Sequence, residues 1–202
     1  MRTFGSWRTW DDARTALTGR LPDADLDRLA AAYAFAAERH AGQTRPAGEP
    51  YTDHLLEVAE ILATELDVTD AELLAAALLH DVVEDTPATL DDLAARFGPR
   101  VAALVGAVTM PPAAPGEDRA TVRRRYLAHL GDLPADALRL KLADRYSNVQ
   151  RLHTHPRPEK QRAYYAETRR GIVPLAAADP RLATLFAEWE RAYAHLAGDD
   201  PS

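Results

Sequence analysis

The sequence predicts an all-α fold, a single helical bundle with short loops. Alanine and leucine dominate the chain, whereas aromatic residues make up only 7% and β-branched residues are sparse, which favours helices over strands. Apolar residues recur three and four positions apart through most of the sequence, and no segment alternates for long in the manner of a strand. With 202 residues, the chain is long enough to bury a core as one domain.

The charge balance and the absent residue types exclude several classes of partner and site. The formal net charge is −7 and the pI about 5.5, which argues against binding to nucleic acid or to an anionic membrane. Cysteine is absent, so disulfides and thiolate metal ligands are excluded. Residues 1–21 are charged and lack the apolar core of a signal peptide, and no run approaches the roughly 18 apolar residues of a membrane span. We therefore expect a cytoplasmic protein.

The first two predicted helices flank a loop rich in glycine and proline. We expect Asp23 or Asp25 to cap the first helix, which ends at Gly42 and buries a stripe made of Leu26, Leu29, Tyr33 and Ala37. The segment GQTRPAGEPYTD (residues 42–53) then has the punctuation of a loop. We expect Asp53 to cap the second helix, whose apolar stripe consists of Leu55, Val58, Ala59, Leu62 and Leu66.

Caps and breakers also mark the remaining elements. The stretch TDAE (residues 69–72) has the pattern of a capping box, and Pro87 closes that helix soon after Asp85. Thr89 begins another helix, Gly98 ends it, and Pro99 suits the first turn of the next. Beyond a proline-rich loop at residues 110–118, the periodicity predicts helices at residues 121–130, 135–152, 159–177 and 181–196. We place one domain at residues 23–198 and leave residues 1–22 as an N-terminal extension of unknown role.

The stretch AALLHDVVEDT (residues 76–86) holds an unusual group of polar residues next to an apolar run. On a continuous helix, His80 and Glu84 are four residues apart, as are Asp81 and Asp85, so all four side chains share one edge. A solvated acidic helix end is one interpretation. However, the pair His80–Asp81 follows five apolar residues directly, and three carboxylates at a core boundary repel each other unless a cation neutralises them. The pattern therefore indicates a divalent metal.

One helix end cannot complete such a site, so further ligands are expected from other helices. His54 begins the second predicted helix at the edge of its apolar stripe, where a histidine is also common as a structural or surface residue. Asp144 lies between apolar positions of the helix LRLKLADRYSNVQRL, where a buried carboxylate is costly. A salt bridge to Lys141 or Arg145 is the alternative for Asp144. A mixed set of histidine nitrogens and aspartate oxygens suits manganese, iron or a similar octahedral ion.

Longer segments around these residues carry a resemblance to a known family. The segments AAYAFAAERHAGQTRPAGEPYTDHLLEVAEIL, AALLHDVVEDTPATLDDLAARFGPRVAALVGAVT, KLADRYSNVQRL and AETRRGIVPLA resemble the successive signature segments of the RelA/SpoT-type (p)ppGpp hydrolase domain, within the HD phosphohydrolase superfamily. The similarity runs from about residue 26 to residue 177. The resemblance therefore implies an HD-domain helical bundle.

The resemblance also implies a role for each candidate residue. One Mn²⁺ ion would be held by His54, His80, Asp81 and Asp144. The pair Glu84–Asp85 matches the family's pair that orients or activates the attacking water. Arg45 and Asn148 fall on positions that contact the nucleotide. From their charge, and not from the resemblance, Lys141 and Arg145 are expected to offset the charge of the substrate.

The chain departs from the family's pattern at several positions. Pro46 stands where the family usually has a lysine, Leu55 replaces a proline, Ala107 and Met110 replace a glycine and a lysine, and RYSN replaces the common RLHN. None of these changes removes a predicted metal ligand, but they leave the substrate open. The chain has no room for the synthetase and regulatory domains of long family members, so we expect a stand-alone small alarmone hydrolase. Residues 1–22 have no counterpart that we can place, and their apolar side chains either cover the core or dock against another subunit.

The expected function is Mn²⁺-dependent hydrolysis of the 3′-pyrophosphate of ppGpp or pppGpp, which yields GDP or GTP and pyrophosphate. An alternative keeps the site and changes the nucleotide to ppApp or to NADPH, which would lose its 2′-phosphate. A third hypothesis is a non-catalytic nucleotide-binding regulator, which would need no water-activating pair. The partner in every case is a nucleotide rather than a nucleic acid or a membrane, and the sequence leaves the oligomeric state open.

Overall fold

The computed structural model describes residues 1–197, and the predicted domain end at residue 198 lies just outside this range. Within these residues the regular structure is helical, which confirms the all-α prediction; only two isolated β-bridges occur. The first seven helices are α1 (Trp10–Leu17), α2 (Asp23–Arg39), α3 (Tyr51–Glu60), α4 (Ala71–Leu79), α5 (Val82–Asp85), α6 (Leu90–Phe97) and α7 (Pro99–Val108). The next five are α8 (Arg119–Ala128), α9 (Ala135–Val149), α10 (Pro158–Gly171), α11 (Val173–Ala176) and α12 (Pro180–Ala192).

Helix α4 occupies the centre of the core. All residues from Leu73 to Leu79 are buried, so the helix is apolar on every side and must be surrounded by other elements. It packs against α2, α3, α7 and α9. The end of α4 consequently opens into the interior of the bundle beside α3 and α9. No helix in the described part of the chain is both long and apolar enough to cross a membrane.

Several predicted helix ends are confirmed and three predicted caps are wrong. Thr89 caps α6 in a capping box with Asp92, Gly98 ends it at φ 97°, and Pro99 lies in the first turn of α7. By contrast, prolines stand at the N-caps of α2 and α3, so Asp23 and Asp53 lie inside the first turn. Both carboxylates still favour the helix start, through the helix dipole rather than through a capping hydrogen bond. The predicted box at TDAE is replaced by a simple cap, in which Asp70 accepts the amides of Glu72 and Leu73.

The predicted continuous helix through Asp85 is interrupted after Leu79. His80 and Asp81 form a turn, and the short helix α5 begins only at Val82. The Nδ1 atom of His80 lies 2.8 Å from the carbonyl oxygen of Ala77, which an uninterrupted helix would offer to the amide of Asp81. The side chain of His80 thus competes with the backbone amide of Asp81 for the carbonyl oxygen of Ala77. This turn holds the HD dipeptide in place.

The N-terminal extension covers the core. Phe4, Trp7 and Leu17 are buried, and Thr9 caps α1 in a capping box with Asp12 that our sequence analysis did not identify. The segment before α1 is fixed by the buried carboxylate of Glu60. This carboxylate accepts hydrogen bonds from the amides of Gly5 (2.8 Å), Ser6 (3.0 Å) and Trp7 (3.3 Å), and from the hydroxyl of Ser6 (2.6 Å). The extension is therefore an integral layer of the bundle.

We predict that Glu60→Gln lowers the free energy of unfolding by on the order of 2 kcal/mol, because one amide oxygen cannot accept all the donors that the carboxylate accepts. Denaturant unfolding followed by circular dichroism measures this change. Glu65→Gln is the control, since Glu65 pairs with the exposed side chain of Arg2 and its loss should change stability little. Equal destabilisation by the two variants would contradict the anchoring role of Glu60.

Candidate metal centre and adjoining cleft

Four polar side chains meet where α3, the turn after α4, and α9 come together. His54 lies in the first half of α3, His80 and Asp81 form the turn, and Asp144 lies in α9. The Nε2 atom of His54 is 3.5 Å from Asp81 Oδ2 and 3.4 Å from Asp144 Oδ1. The Nε2 atom of His80 is 3.1 Å and 3.6 Å from the same two oxygens. The structure thus brings together all four residues that the sequence offered as ligands.

The hydrogen bonds of the two histidines determine which ring nitrogen faces the cluster. His80 Nδ1 contacts a backbone carbonyl, which only accepts, so Nδ1 carries the proton. The hydroxyl of Ser147 donates to Glu57 Oε2 at 3.0 Å and therefore accepts from His54 Nδ1 at 2.8 Å. In the neutral form of each ring, which is the form that binds a metal, Nε2 would consequently present a lone pair to the cluster.

The cluster is rich in acceptors and fits a cation. His54 and His80 are each only 2% exposed, and His80 Nε2 is buried without a hydrogen-bond partner. Without a metal, burial disfavours the charged ring, yet Asp81 and Asp144 raise the pKa of His80 to about 10. A ligand atom of His54, His80 and Asp81 each lies within 4.8 Å of the others, close enough for one ion to bind all three. Two imidazole nitrogens and two carboxylate groups are a donor set that divalent cations bind.

The fourth group, Asp144, is held by its neighbours on α9. Its Oδ2 atom accepts from Lys141 Nζ at 2.9 Å, and its Oδ1 atom accepts from Asn148 Nδ2 at 2.5 Å. Burial opposes ionisation of this carboxyl group, but Lys141 and the histidines hold its pKa well below the usual range. Asp144 therefore forms the salt bridge to Lys141 that the sequence offered as an alternative, and it also faces the two histidines as expected of a ligand.

Glu84 and Asp85 have different hydrogen-bond partners, and Asp85 is linked to the cluster through Tyr51. Asp85 Oδ2 is 2.8 Å from the hydroxyl of Tyr51, which is also 2.6 Å from Asp81 Oδ2. Tyr51 thus links a predicted ligand to the predicted water-handling pair. Glu84 is exposed, and its Oε2 atom accepts from the amide of Met110 at 3.2 Å. Although the residue as a whole is exposed, partial desolvation of its carboxyl group raises the pKa of Glu84 despite that hydrogen bond, and the charges of Asp81 and Asp85 add to the effect.

A cleft of about 330 Å³ opens beside the cluster, a size typical of small-molecule sites. His54, Arg45 and Asn148 line it, and Arg45 Nη2 donates to Asn148 Oδ1 at 2.9 Å. Lys141 and Arg145 are not among the lining residues. Lys141 is paired with Asp144, whereas Arg145 is buried and paired with Glu167 at 2.8 Å. The two predicted substrate contacts Arg45 and Asn148 therefore share the cleft, and the other two lie in ion pairs.

Sequence reasoning missed several residues that build the site. Ser147 and Glu57 orient His54, and both could have been found in the sequence. Ser147 belongs to RYSN, an unusual form of a recognisable motif, and Glu57 follows His54 by three positions on one helix face. Tyr51 precedes His54 by the same interval. Gly5, Trp7 and Arg8 also line the cleft, and no local pattern could reveal that contact because it joins distant parts of the chain.

A helical bundle that gathers two histidines and two aspartates from separate helices around one cation-sized space belongs to the class of metal-dependent HD proteins. The family model described as HD domain matches residues 32–180, and the chain belongs to that family. Family membership and the buried histidine–aspartate cluster together imply a divalent metal at this site.

Curated relatives narrow the comparison. Over 161 residues the chain is 42% identical to the bifunctional (p)ppGpp synthase/hydrolase SpoT of Escherichia coli, a match that covers 77% of this chain and 22% of that protein. The chain therefore spans about a fifth of the length of this relative. It is also 40% identical over 121 residues to guanosine-3′,5′-bis(diphosphate) 3′-pyrophosphohydrolase MESH1 of Danio rerio, covering 59% of this chain and 66% of that one.

Solved structures with a similar fold agree with membership of the HD-domain family. A metazoan SpoT orthologue, described as hydrolysing ppGpp and acting in starvation responses, superposes with a TM-score of 0.74 at 30% identity and covers 82% of this chain and 94% of its own. A protein from Listeria monocytogenes superposes with a TM-score of 0.56 at 23% identity, covering 74% and 99% of the two chains. The second match concerns the fold alone.

We predict that Ser147→Ala weakens divalent-metal binding by about 10- to 100-fold, because His54 loses the acceptor that fixes its tautomer and ring orientation. Titration of the metal-free protein with Mn²⁺ by calorimetry measures the affinity, and circular dichroism verifies that the fold is retained. Ser6→Ala is the matched control, since Ser6 also donates to a glutamate but lies outside the cluster. Unchanged Mn²⁺ affinity in Ser147→Ala would contradict the proposed support of His54.

Proposed function

We propose that this protein is a metal-dependent hydrolase that removes the 3′-pyrophosphate of ppGpp or pppGpp, releasing GDP or GTP and pyrophosphate. One observation carries the proposal, namely that the buried cluster of His54, His80 and Asp81 adjoins a cleft of about 330 Å³, which His54 and Tyr51 line. Tyr51 also links Asp81 to Asp85. The similarity to relatives named as (p)ppGpp hydrolases supports this choice of substrate.

The metal ligands in this proposal are His54, His80, Asp81 and Asp144, and the ion is a single Mn²⁺. Nitrogen and oxygen donors without any thiolate suit manganese. A bound divalent cation supplies a lowered pKa for a coordinated water and polarisation of a phosphoryl oxygen. Lys141 neutralises one oxygen of Asp144, which leaves the other oxygen directed to the histidines. Arg145 remains in its buried pair with Glu167 and supports α9.

Proton transfer is assigned to Glu84. The oxygen of water bonds to the phosphorus that carries the 3′-oxygen, and the bond between that phosphorus and the 3′-oxygen breaks. The carboxylate of Glu84 accepts the proton of the water and then returns a proton to the departing 3′-oxygen, so that GDP leaves with a free hydroxyl. Desolvation raises the pKa of Glu84 above its ordinary value, which makes its carboxylate a stronger base than an unperturbed glutamate. Asp85 assists by its hydrogen bond to Tyr51, which fixes the turn that carries Asp81.

The nucleotide is assigned to the cleft, with Arg45 and Asn148 as contacts. Arg45 reaches Asn148 with one nitrogen, and its planar guanidinium has further donors for phosphate oxygens. Such local contacts are needed because the chain carries a net charge of −7, which does not steer a polyanion from a distance.

A second candidate substrate is another nucleotide, such as ppApp or NADPH with its 2′-phosphate. The observation that favours it is that Pro46 and Ala47 line the cleft beside Arg45 and provide no cation for a guanosine polyphosphate. A non-catalytic binding role is less well supported, since binding alone has no use for Glu84 beside a metal cluster.

We predict that ppGpp incubated with the protein and Mn²⁺ yields GDP and intact pyrophosphate in a one-to-one ratio. Chromatography of the nucleotides, together with an enzymatic pyrophosphate assay, measures both products. Parallel initial rates on ppApp and NADPH separate the alternative substrates. Stepwise release of orthophosphate would contradict the proposed reaction, and turnover of none of the nucleotides would contradict a hydrolase of this substrate class.

We predict that Glu84→Gln lowers kcat by about 10²- to 10⁴-fold, the usual contribution of a general base, because the amide cannot accept the proton. Mn²⁺ stoichiometry and nucleotide affinity should stay near those of the unmodified protein, since the four ligands, Arg45 and Asn148 are unchanged. Asp91→Asn is the control, because Asp91 is an exposed carboxylate in the first turn of α6, away from the cluster. Loss of metal in Glu84→Gln would make Glu84 a ligand, and a normal kcat would exclude it from the chemistry.

A further inference from the structure

The N-terminal extension forms one wall of the cleft. Gly5, Trp7 and Arg8 line it together with the loop that contains Arg45. Trp7 is buried, so its ring serves the core, whereas Arg8 is exposed. The wall thus presents a charged side chain to any molecule that occupies the cleft.

This wall is held from two sides, so its position is defined. Glu60 binds the amides of residues 5 to 7, and the Nη2 atom of Arg151 donates to the carbonyl of Phe4 at 2.7 Å. Gly5 has a φ of +122°, and a Cβ atom there would lie 2.5 Å from Arg151 Nη2. The positive φ favours glycine at this position, and any larger residue would also have to displace the guanidinium of Arg151. Arg8 is therefore carried by an anchored backbone.

Among the arginines that line the cleft, Arg8 has the weakest contacts with other residues of the protein. Arg151 is engaged by Glu57 and the Phe4 carbonyl, and Arg45 is half-buried against Asn148. The side chain of Arg8 is 62% exposed, and its ion pair is with Asp53, at an N–O distance of 3.5 Å. That distance is longer than a good hydrogen bond, so an incoming phosphate can replace the carboxylate at little cost.

We propose that Arg8 is a specificity-determining residue, which binds the 5′-phosphate chain of the nucleotide while the 3′-pyrophosphate lies at the metal cluster. This inference rests on the proposed function. The chemistry requires the 3′-pyrophosphate to reach His54 and its neighbours. Arg8 lines the same cleft but pairs with Asp53 rather than with a residue of the cluster, so its charge is left for the other phosphate chain. Asp53 holds the guanidinium in place when the cleft is empty and competes with the substrate for it.

The test compares KM for ppGpp with KM for guanosine 3′-pyrophosphate, which lacks 5′-phosphates. Arg8→Ala should raise KM for ppGpp about fivefold to tenfold, as expected for the loss of one charge-assisted contact, with kcat unchanged. KM for the analogue without 5′-phosphates should change little. Arg14→Ala is the matched control, because Arg14 lies in the same extension but pairs with Asp27 outside the cleft.

A second variant tests the competition by Asp53. Asp53→Asn removes the competing carboxylate and should lower KM for ppGpp two- to fivefold, an effect on the order of one exposed ion pair. In the double variant with Arg8→Ala this gain should disappear, because it depends on the freed guanidinium. GDP binding measured by calorimetry without metal provides a readout that is independent of turnover, and it should weaken in Arg8→Ala.

The outcomes separate this inference from the proposed function. If the unmodified protein hydrolyses none of the nucleotides, the proposed function fails. If it hydrolyses ppGpp but Arg8→Ala leaves KM and GDP affinity unchanged, the role of Arg8 is wrong. An equal rise of KM on both substrates, or an Asp53→Asn gain that persists without Arg8, would likewise overturn the assignment to the 5′-phosphate chain.

Discussion

The interior of this protein depends on one constraint, which is that two imidazole lone pairs and two carboxylates face each other in a buried space. Groups of this kind are costly to bury without a partner. The surrounding elements offset part of that cost, since Lys141 neutralises an oxygen of Asp144 and Tyr51 donates toward Asp81. The remaining acceptors require positive charge, which a divalent cation provides. Metal binding and stability are therefore linked at this site.

Helix α3 transmits this constraint to the rest of the molecule. His54 faces the cluster, Glu57 one turn later supports it through Ser147, and Glu60 anchors the N-terminal wall. These three residues follow each other at intervals of three and therefore lie near one face of the helix. Arg151 closes the connection, because it contacts both Glu57 and the carbonyl of Phe4. A displacement of the wall would thus reach His54 through three intermediate side chains, those of Arg151, Glu57 and Ser147.

The sequence predicted the periodic and local features well and the long-range polar contacts poorly. Helix type followed from apolar spacing, and the cap at Thr89 and the stop at Gly98 followed from local backbone chemistry. The break at His80 was not predicted, because it arises from a side chain bonding its own helix in a tertiary setting. Lys141 and Arg145 were assigned to the substrate from charge alone. In the fold, each of them pairs with a carboxylate. The partner of Lys141 is Asp144, three residues later on the same helix, whereas the partner of Arg145 is Glu167 on α10, which sequence spacing does not reveal.

The charges that line the cleft show how a negatively charged protein can accept a polyanion. Among the described lining residues, Arg8, Arg45 and Arg151 are balanced by Glu49, Asp53 and Glu57. Net charge consequently gives no preference for phosphate, and selectivity has to come from placement. The guanidinium of Arg151, which is bound internally, shapes the cleft, whereas those of Arg8 and Arg45 keep donors for the ligand that we propose. A divalent cation at the histidine–aspartate cluster would add positive charge that these balanced lining residues do not provide.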